Sequence, residues 1–192
     1  QVGSGTETSP YMPTYCYYCY SYAQMSYSPN EVGIDGTIDT LMFHSNSSMT
    51  RNLAIYMAET HRSSYASSSD LVTTGLQQVF SGSVSWVNGG WTAIALDSAF
   101  VYEDTADLVI VVLDNTGSYD SPYPYYEGTS FSTTRGRYMY NDGSAYSVTA
   151  PPSTNTSSFL PNIRLGITSY SLYCAAPSDI NVRDIVGDGA TI

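Results

Sequence analysis

The sequence predicts an all-β fold: a two-sheet antiparallel β-sandwich, jelly-roll-like, with a C-terminal extension strand. Three observations predict it. Apolar runs are short, rich in β-branched and aromatic residues, and bounded by clusters of Gly, Pro, Asn and Ser. Roughly ten of them follow at short spacing, the rhythm of a sandwich rather than of a helical bundle. One of them, Asp107–Asp114, carries Leu108, Val109, Ile110, Val111, Val112 and Leu113 without interruption. A strand apolar on both faces belongs in a sheet centre, covered on both sides.

The other elements follow in chain order. Residues 1–14 read as extended. Residues 15–27 alternate Tyr and Met with small or polar side chains and read as a strand. Residues 37–43 follow a turn marked by Gly33 and Gly36. Residues 52–57 place Leu53, Ile55 and Met57 on one face, at the two-residue period of a strand. Residues 76–87 and 91–96 flank Asn88, Gly89 and Gly90, which accept positive φ and predict a hairpin. Trp91 is expected to lead into the core with Ile94 and Leu96. Residues 131–140, 145–149 and 163–173 complete the strands, and the Ser-rich residues 63–71 read as a loop or one helical turn. Beyond Cys174, the residues Ile180, Val182 and Ile185 carry a strand pattern, followed by a turn at Gly187 and Gly189. Two strands cannot bury a core by themselves. This segment is expected to complete another sheet or to open a further domain.

Composition narrows the function. Of the 192 residues, 42% are hydrophobic and only 12% charged, about half the usual charged share. Net charge is −11, and every basic residue is arginine. Such a surface repels phosphate backbones, so neither nucleic acid nor an anionic membrane is an expected partner. No run of about 18 apolar residues is available for membrane insertion. A start at Gln1 with no signal peptide is expected of a mature secreted protein, extracellular or on the cell surface.

Cys16 and Cys19 have the spacing of a redox or zinc pair. Zinc needs further ligands, however, and Cys174 stands alone while His44 and His61 read as surface histidines. Three residues apart on a strand, Cys16 and Cys19 would lie about 10 Å from each other, too far to bridge. The expected disulfide joins one of them to Cys174, and the remaining thiol is free to link subunits.

The candidate chemistry points to binding, and enzymatic activity is not expected. No G-x-S-x-G elbow accompanies the histidines. The acidic residues sit mostly at strand ends and turns, where solvation or turn capping explains them. No cofactor is expected. Calcium is the one cation considered, through Asp35 with Asp39 and Asn141 with Asp142, without EF-hand-like spacing. Trp86, Tyr119, Tyr123, Tyr125 and Tyr126 form the expected interaction surface, because tyrosine suits protein and sugar contacts alike. Asn46 and Asn155 open N-x-S/T glycosylation sequences.

An ordered series of motifs carries a resemblance. It comprises Tyr20-Ser21-Tyr22-Ala23-Gln24-Met25-Ser26-Tyr27 with Glu31, then Gly36-Thr37-Ile38-Asp39-Thr40-Leu41-Met42-Phe43. Leu53-Ala54-Ile55-Tyr56-Met57, Val79-Phe80-Ser81-Gly82-Ser83-Val84, Gly90-Trp91, Phe100-Val101-Tyr102 and Asp107–Asp114 follow. Over residues 15–117 the series resembles an adhesin-like sandwich domain of secreted Bacteroidetes surface proteins. That domain's opening Asp- and Gly-rich motif has no counterpart here, so its calcium site is not implied. The resemblance implies display or adhesion, and O-glycosylation at Thr40, Ser98 and Thr105, each preceded by Asp. Cys174-Ala175-Ala176-Pro177 with Ile180, Val182 and Ile185 resembles the entrance to a fibronectin type III domain. Three segments result: 1–14 extended, 15–174 sandwich, and 175–192 extension strand or fibronectin-like start.

Two functions are expected from these features. The first is a non-enzymatic structural or adhesive fibre subunit that adds copies of itself head-to-tail by β-strand addition. Residues 1–14 or the strand bearing Ile180, Val182 and Ile185 would be the donor. The second is a carbohydrate-binding module of a larger adhesin or glycan-degrading protein, contacting glycans or host cell-surface proteins.

Overall fold

A computed structural model describes residues 1–169. The strands are β1 (Glu7–Ser9), β2 (Tyr20–Tyr27), β3 (Gly36–Ser45), β4 (Thr50–Thr60), β5 (Gln77–Ser85), β6 (Gly90–Tyr102), β7 (Asp107–Asp114), β8 (Tyr126–Ser130), β9 (Gly136–Asn141), β10 (Asn155–Ser157), β11 (Phe159–Pro161) and β12 (Ile163–Thr168). One helical turn, α1 (Pro29–Val32), follows β2. Ser28 and Glu31 close it reciprocally, with the Ser28 N–H donating to Glu31 Oε2 at 2.8 Å.

The strands form two antiparallel sheets that pack face to face. One runs β1-β8-β3-β12, with β11 also on β8 and β6 also on β3; the other runs β10-β9-β2-β7-β4-β5. Most connections pass from one sheet to the other, so only β4–β5 and β9–β10 are neighbours in both chain and sheet. The expected sandwich is present.

Alternation explains which side chains fill it. Leu53, Ile55 and Met57 on β4 point inward with Leu108, Ile110 and Val112 on β7, and all six are buried. From the facing sheet come Ile38, Leu41 and Phe43. Ile38 and Leu41 are an odd number of residues apart, so one face can hold both only where the pairing slips, and a register shift lies between Ile38 and Thr40.

The central strand behaves as its composition demands. All eight residues of β7 are buried. Val109, Val111 and Leu113 point away from the main core into a second cluster with Tyr22, Ala54 and Met139. Two loops roof that cluster, one through Leu71, Val72 and Leu76, the other through Tyr146 and Val148. Gln24 clamps the first loop, donating to Val72 O at 2.8 Å and accepting from Val72 N at 2.9 Å.

Several expectations are corrected. The turn at Asn88, Gly89 and Gly90 is real, with Gly89 at φ 65, but β5 pairs with β4 and β6 with β3. It is an arch between sheets, not a hairpin. Residues 145–149 are roof rather than strand. Trp91 is only partly buried, with the Arg164 guanidinium 4.2 Å above its ring and His44 beside it. Thr92 and Ile94 take the inward positions, and Trp91, three residues from Ile94, takes the outer face.

Residues 1–14 are not a free donor. Val2 exchanges backbone hydrogen bonds with Ile163 at 2.8 and 2.9 Å, β1 pairs with β8, and Val2 and Met12 are buried. A strand of the same chain docks without the entropy cost of association. Cys174, Ile180, Val182 and Ile185, and with them the extension strand and the fibronectin-like start, lie outside the described residues.

A candidate recognition surface built from tyrosines

The first functional segment departs from its expected form. Residues 15–19 are a turn, not the start of a strand; Tyr18 N donates to Tyr15 O at 3.2 Å. The turn separates the two cysteines by environment. Cys16 points inward against Thr14 and Tyr126, and burial raises its thiol to about 11. Cys19 is half-buried, and its backbone N–H donates to Asp142 Oδ1 at 3.1 Å. Both are free.

Arg51 holds this turn. It lies on the inward face of β4 with its side chain fully buried at one end of the core, and its Nε meets Asp114 Oδ2 at 2.7 Å. The rest of the guanidinium fans outward: Nη1 donates to Ser118 O at 2.8 Å and to Asp120 Oδ2 at 3.1 Å, and Nη2 to Tyr18 O at 3.3 Å. Backbone bonds from Asp120 N to Cys16 O and from Gly117 N to Cys19 O lock the turn against the loop after β7. One buried cation therefore fixes two segments of irregular backbone by their carbonyls.

On that support stands a connected group of eight tyrosines. Tyr11 stacks on Tyr138 at 4.6 Å between centroids, and Tyr15 meets Tyr11 and Tyr140 edge-on at 4.9 Å. Tyr18 lies 4.3 Å from Tyr140, while Tyr17 contacts Tyr18 at 5.4 Å and Tyr123 at 5.3 Å. Tyr123 in turn stacks with Tyr125 at 5.8 Å. Edge-to-face and offset contacts of this kind add to the burial of each ring. Tyr17 is 52% exposed, Tyr125 38%, and Tyr119, beyond the group, 66%. Burial, then the neighbouring Tyr11 and Tyr123, raises the Tyr15 phenol to about 12 and keeps it a neutral donor.

A cleft of about 500 Å³ opens at one side, lined by Tyr17, Tyr18, Cys19, Tyr119 and Asp142. Burial, then the charges of Tyr140 and Asp142, raises the phenol of Tyr18.

The residues of the expected surface divide by burial. Tyr119, Tyr123 and Tyr125 are accessible. Tyr126 and Trp86 are not: they are 0% and 3% exposed and pack on each other at 5.3 Å, and the Tyr126 hydroxyl lies 2.5 Å from Thr14 Oγ1. Adjacent residues on a strand face opposite ways, so Tyr126 enters the core where Tyr125 leaves it. Tyr11, Tyr15, Tyr17, Tyr18, Tyr138 and Tyr140 were not singled out. The high tyrosine content of residues 11–22 signals Tyr11, Tyr15, Tyr17 and Tyr18, and no local pattern marks Tyr138 and Tyr140.

The other candidates are scattered. Asn46 is exposed and its Oδ1 accepts from Tyr125 N at 2.8 Å, so it anchors the tyrosine loop. Ser98, Thr105 and Asn155 are exposed, and Thr40 lies half-buried within β3. Asp39 accepts from the Thr40 hydroxyl, and Asn141 Oδ1 caps its own turn through Gly143 N and Ser144 N. Among the described residues no group of three His, Cys, Asp or Glu gathers to hold a metal. His44 lies 3.3 Å from Glu127, and His61 is exposed.

Comparisons with protein-family models, curated proteins and solved structures return no match. The surface itself carries the functional argument.

Proposed function

We propose that this chain is a non-enzymatic recognition module of a secreted adhesive protein, and that it holds its partner on the tyrosine surface. The observation that carries this reading is the continuous group of rings from Tyr138 to Tyr125, held on its base by a buried arginine yet open to solvent at Tyr17 and Tyr125, with Tyr119 exposed beyond it. Rigid, amphipathic rings bind with little loss of side-chain freedom. The motif series resembling Bacteroidetes surface domains supports display on a cell surface, and the buried, protonated thiol of Cys16 is the opposite of an activated nucleophile.

The test is retention on an array of glycans and immobilised cell-surface proteins. Binding falls at least tenfold on replacing both Tyr123 and Tyr125 by Ser, with the melting temperature unchanged. Binding that survives the double replacement removes the tyrosine surface as the contact.

A second reading is assembly of copies head-to-tail. Among the described residues β5 and β6 each pair on one side only, and an open edge accepts an added strand. Filaments seen by electron microscopy and lost on deleting residues 178–192 would favour it.

A further inference from the structure

Resting on the reading of the tyrosine surface as a binding face, we propose that the cleft between Tyr17, Tyr18, Tyr119 and Asp142 is a cage for an alkylammonium cation carried by another molecule. Its walls suit a compact cation. The rings of Tyr17 and Tyr18 meet edge-to-face at 74° with centroids 5.4 Å apart, and both line the cleft. Electron-rich rings set at an angle around one cleft attract an ammonium group. The flat face of a sugar is better served by a coplanar platform. Tyr119, 66% exposed, lines the same cleft.

Charge points the same way. Asp142 places a carboxylate in the lining and spends one oxygen on Cys19 N–H. Among the described residues the nearest guanidinium, Arg51, is withdrawn from solvent and occupied by Asp114 and Asp120, so none of their arginines opposes a ligand there. The whole chain carries −11, which draws cations toward it. The cleft of about 500 Å³ exceeds one trimethylammonium group and leaves room for its stem.

The ligand comes from elsewhere because the chain has no lysine. Among the described residues no arginine offers an unoccupied guanidinium at the surface either. Arg51, Arg62 and Arg135 pair with Asp114, Asp70 and Glu31, Arg164 covers Trp91, and Arg137 is buried.

Two sources share this chemistry, a choline-type head group and a lysine side chain. The experiment titrates the protein with choline, with Nα-acetyl-lysine methylamide, and with 3,3-dimethylbutan-1-ol, the uncharged shape-match of choline, following the tyrosine ring resonances. The expected result is that one cation binds at least about tenfold tighter than the alcohol; the tighter cation names the source. Tyr17→Phe keeps that affinity, while Tyr17→Leu and Asp142→Asn each weaken it about fivefold or more at unchanged melting temperature. Equal binding of the alcohol, no saturable binding of either cation, or full affinity in Tyr17→Leu overturns the proposal. Failure here with array binding still dependent on Tyr123 and Tyr125 removes the cage alone. Loss of that dependence with the cage intact removes the wider surface instead.

Discussion

Arg51 Nε and Asp114 Oδ2 meet at 2.7 Å, and neither side chain reaches solvent. Both lie on the inward faces of adjacent strands, β4 and β7, where the next inward residues are Leu53 and Val112. An ion pair in line with core residues costs desolvation on both sides. Here the remaining donors of the arginine reach Ser118 O and Tyr18 O, so the same group closes one end of the core and carries the tyrosine surface.

Breaking that pair from one side is therefore expected to be severe. Arg51→Met leaves Asp114 buried with only Thr116 as donor, and destabilises the fold by about 3–5 kcal/mol in chemical denaturation. Arg51→Met with Asp114→Leu recovers much of that loss, because both buried charges are gone. The double variant still lacks the bonds to Ser118 and Tyr18, so hydrogen exchange at residues 115–120 stays fast.

Tyr125 and Tyr126 form a contrasting pair. Tyr126→Ala empties a fully buried site against Trp86 and costs about 3–5 kcal/mol. Tyr125→Ala, on an exposed ring, changes stability by about 0.5 kcal/mol or less. Thermal unfolding of the two variants checks this directly. Equal effects would mean the chain leaves the core elsewhere.

The cysteines are expected to differ in reactivity. Cys16, buried and raised to about 11, resists alkylation of the native protein near neutral pH. Cys19 is raised too, by burial and then by Asp142, but it is accessible and is labelled first. Asp142→Asn removes the opposing charge and speeds that labelling. Peptide mass spectrometry after timed iodoacetamide exposure reads the order.

Acidification from neutrality is expected to stabilise the fold before it harms it. Burial, and then the charges of Glu103 and Asp104, raises Glu59; burial, and then Glu31, raises Asp107. A carboxyl whose folded value is raised binds its proton more readily when folded, so stability grows as pH falls through that value. Glu31 acts in the opposite sense. Burial pushes it up, but hydrogen bonds from Arg135 and Ser28 together hold it below its ordinary range. Its contribution is present above the unfolded value and is lost as pH falls through the folded one. The melting temperature is thus expected to peak on the acid side of neutrality. Glu59→Gln keeps an acceptor for Glu103 N, raises the neutral-pH melting temperature and flattens the acid-side gain.

How far residues announce their places varies with the range of the interaction. The strand β7 was legible because an unbroken apolar run has few other homes, and β4 because Leu53, Ile55 and Met57 keep one period. The turn at Gly89 was legible, but turn residues do not say which sheet the next strand joins, so the arch was not. Residues 15–19 imitate a strand in composition, and what bends them is a guanidinium from β4 and carbonyl bonds to the loop after β7. Arg51 directly precedes the run at residues 52–57 and carries no local sign of its burial. Of the surface, Tyr119, Tyr123 and Tyr125 stood out beside prolines, while Tyr11, Tyr138 and Tyr140 join them only through tertiary contacts.

Hydroxyl-radical footprinting of the tyrosines, with and without a partner retained from the array, tests the central claim most directly. Protection at Tyr17, Tyr119, Tyr123 and Tyr125, with Tyr56 on the opposite roofed face unchanged, is the predicted result. Unchanged oxidation of those four rings, with protection confined to Phe80 and Trp91, would contradict it and move the contact away from the tyrosine surface.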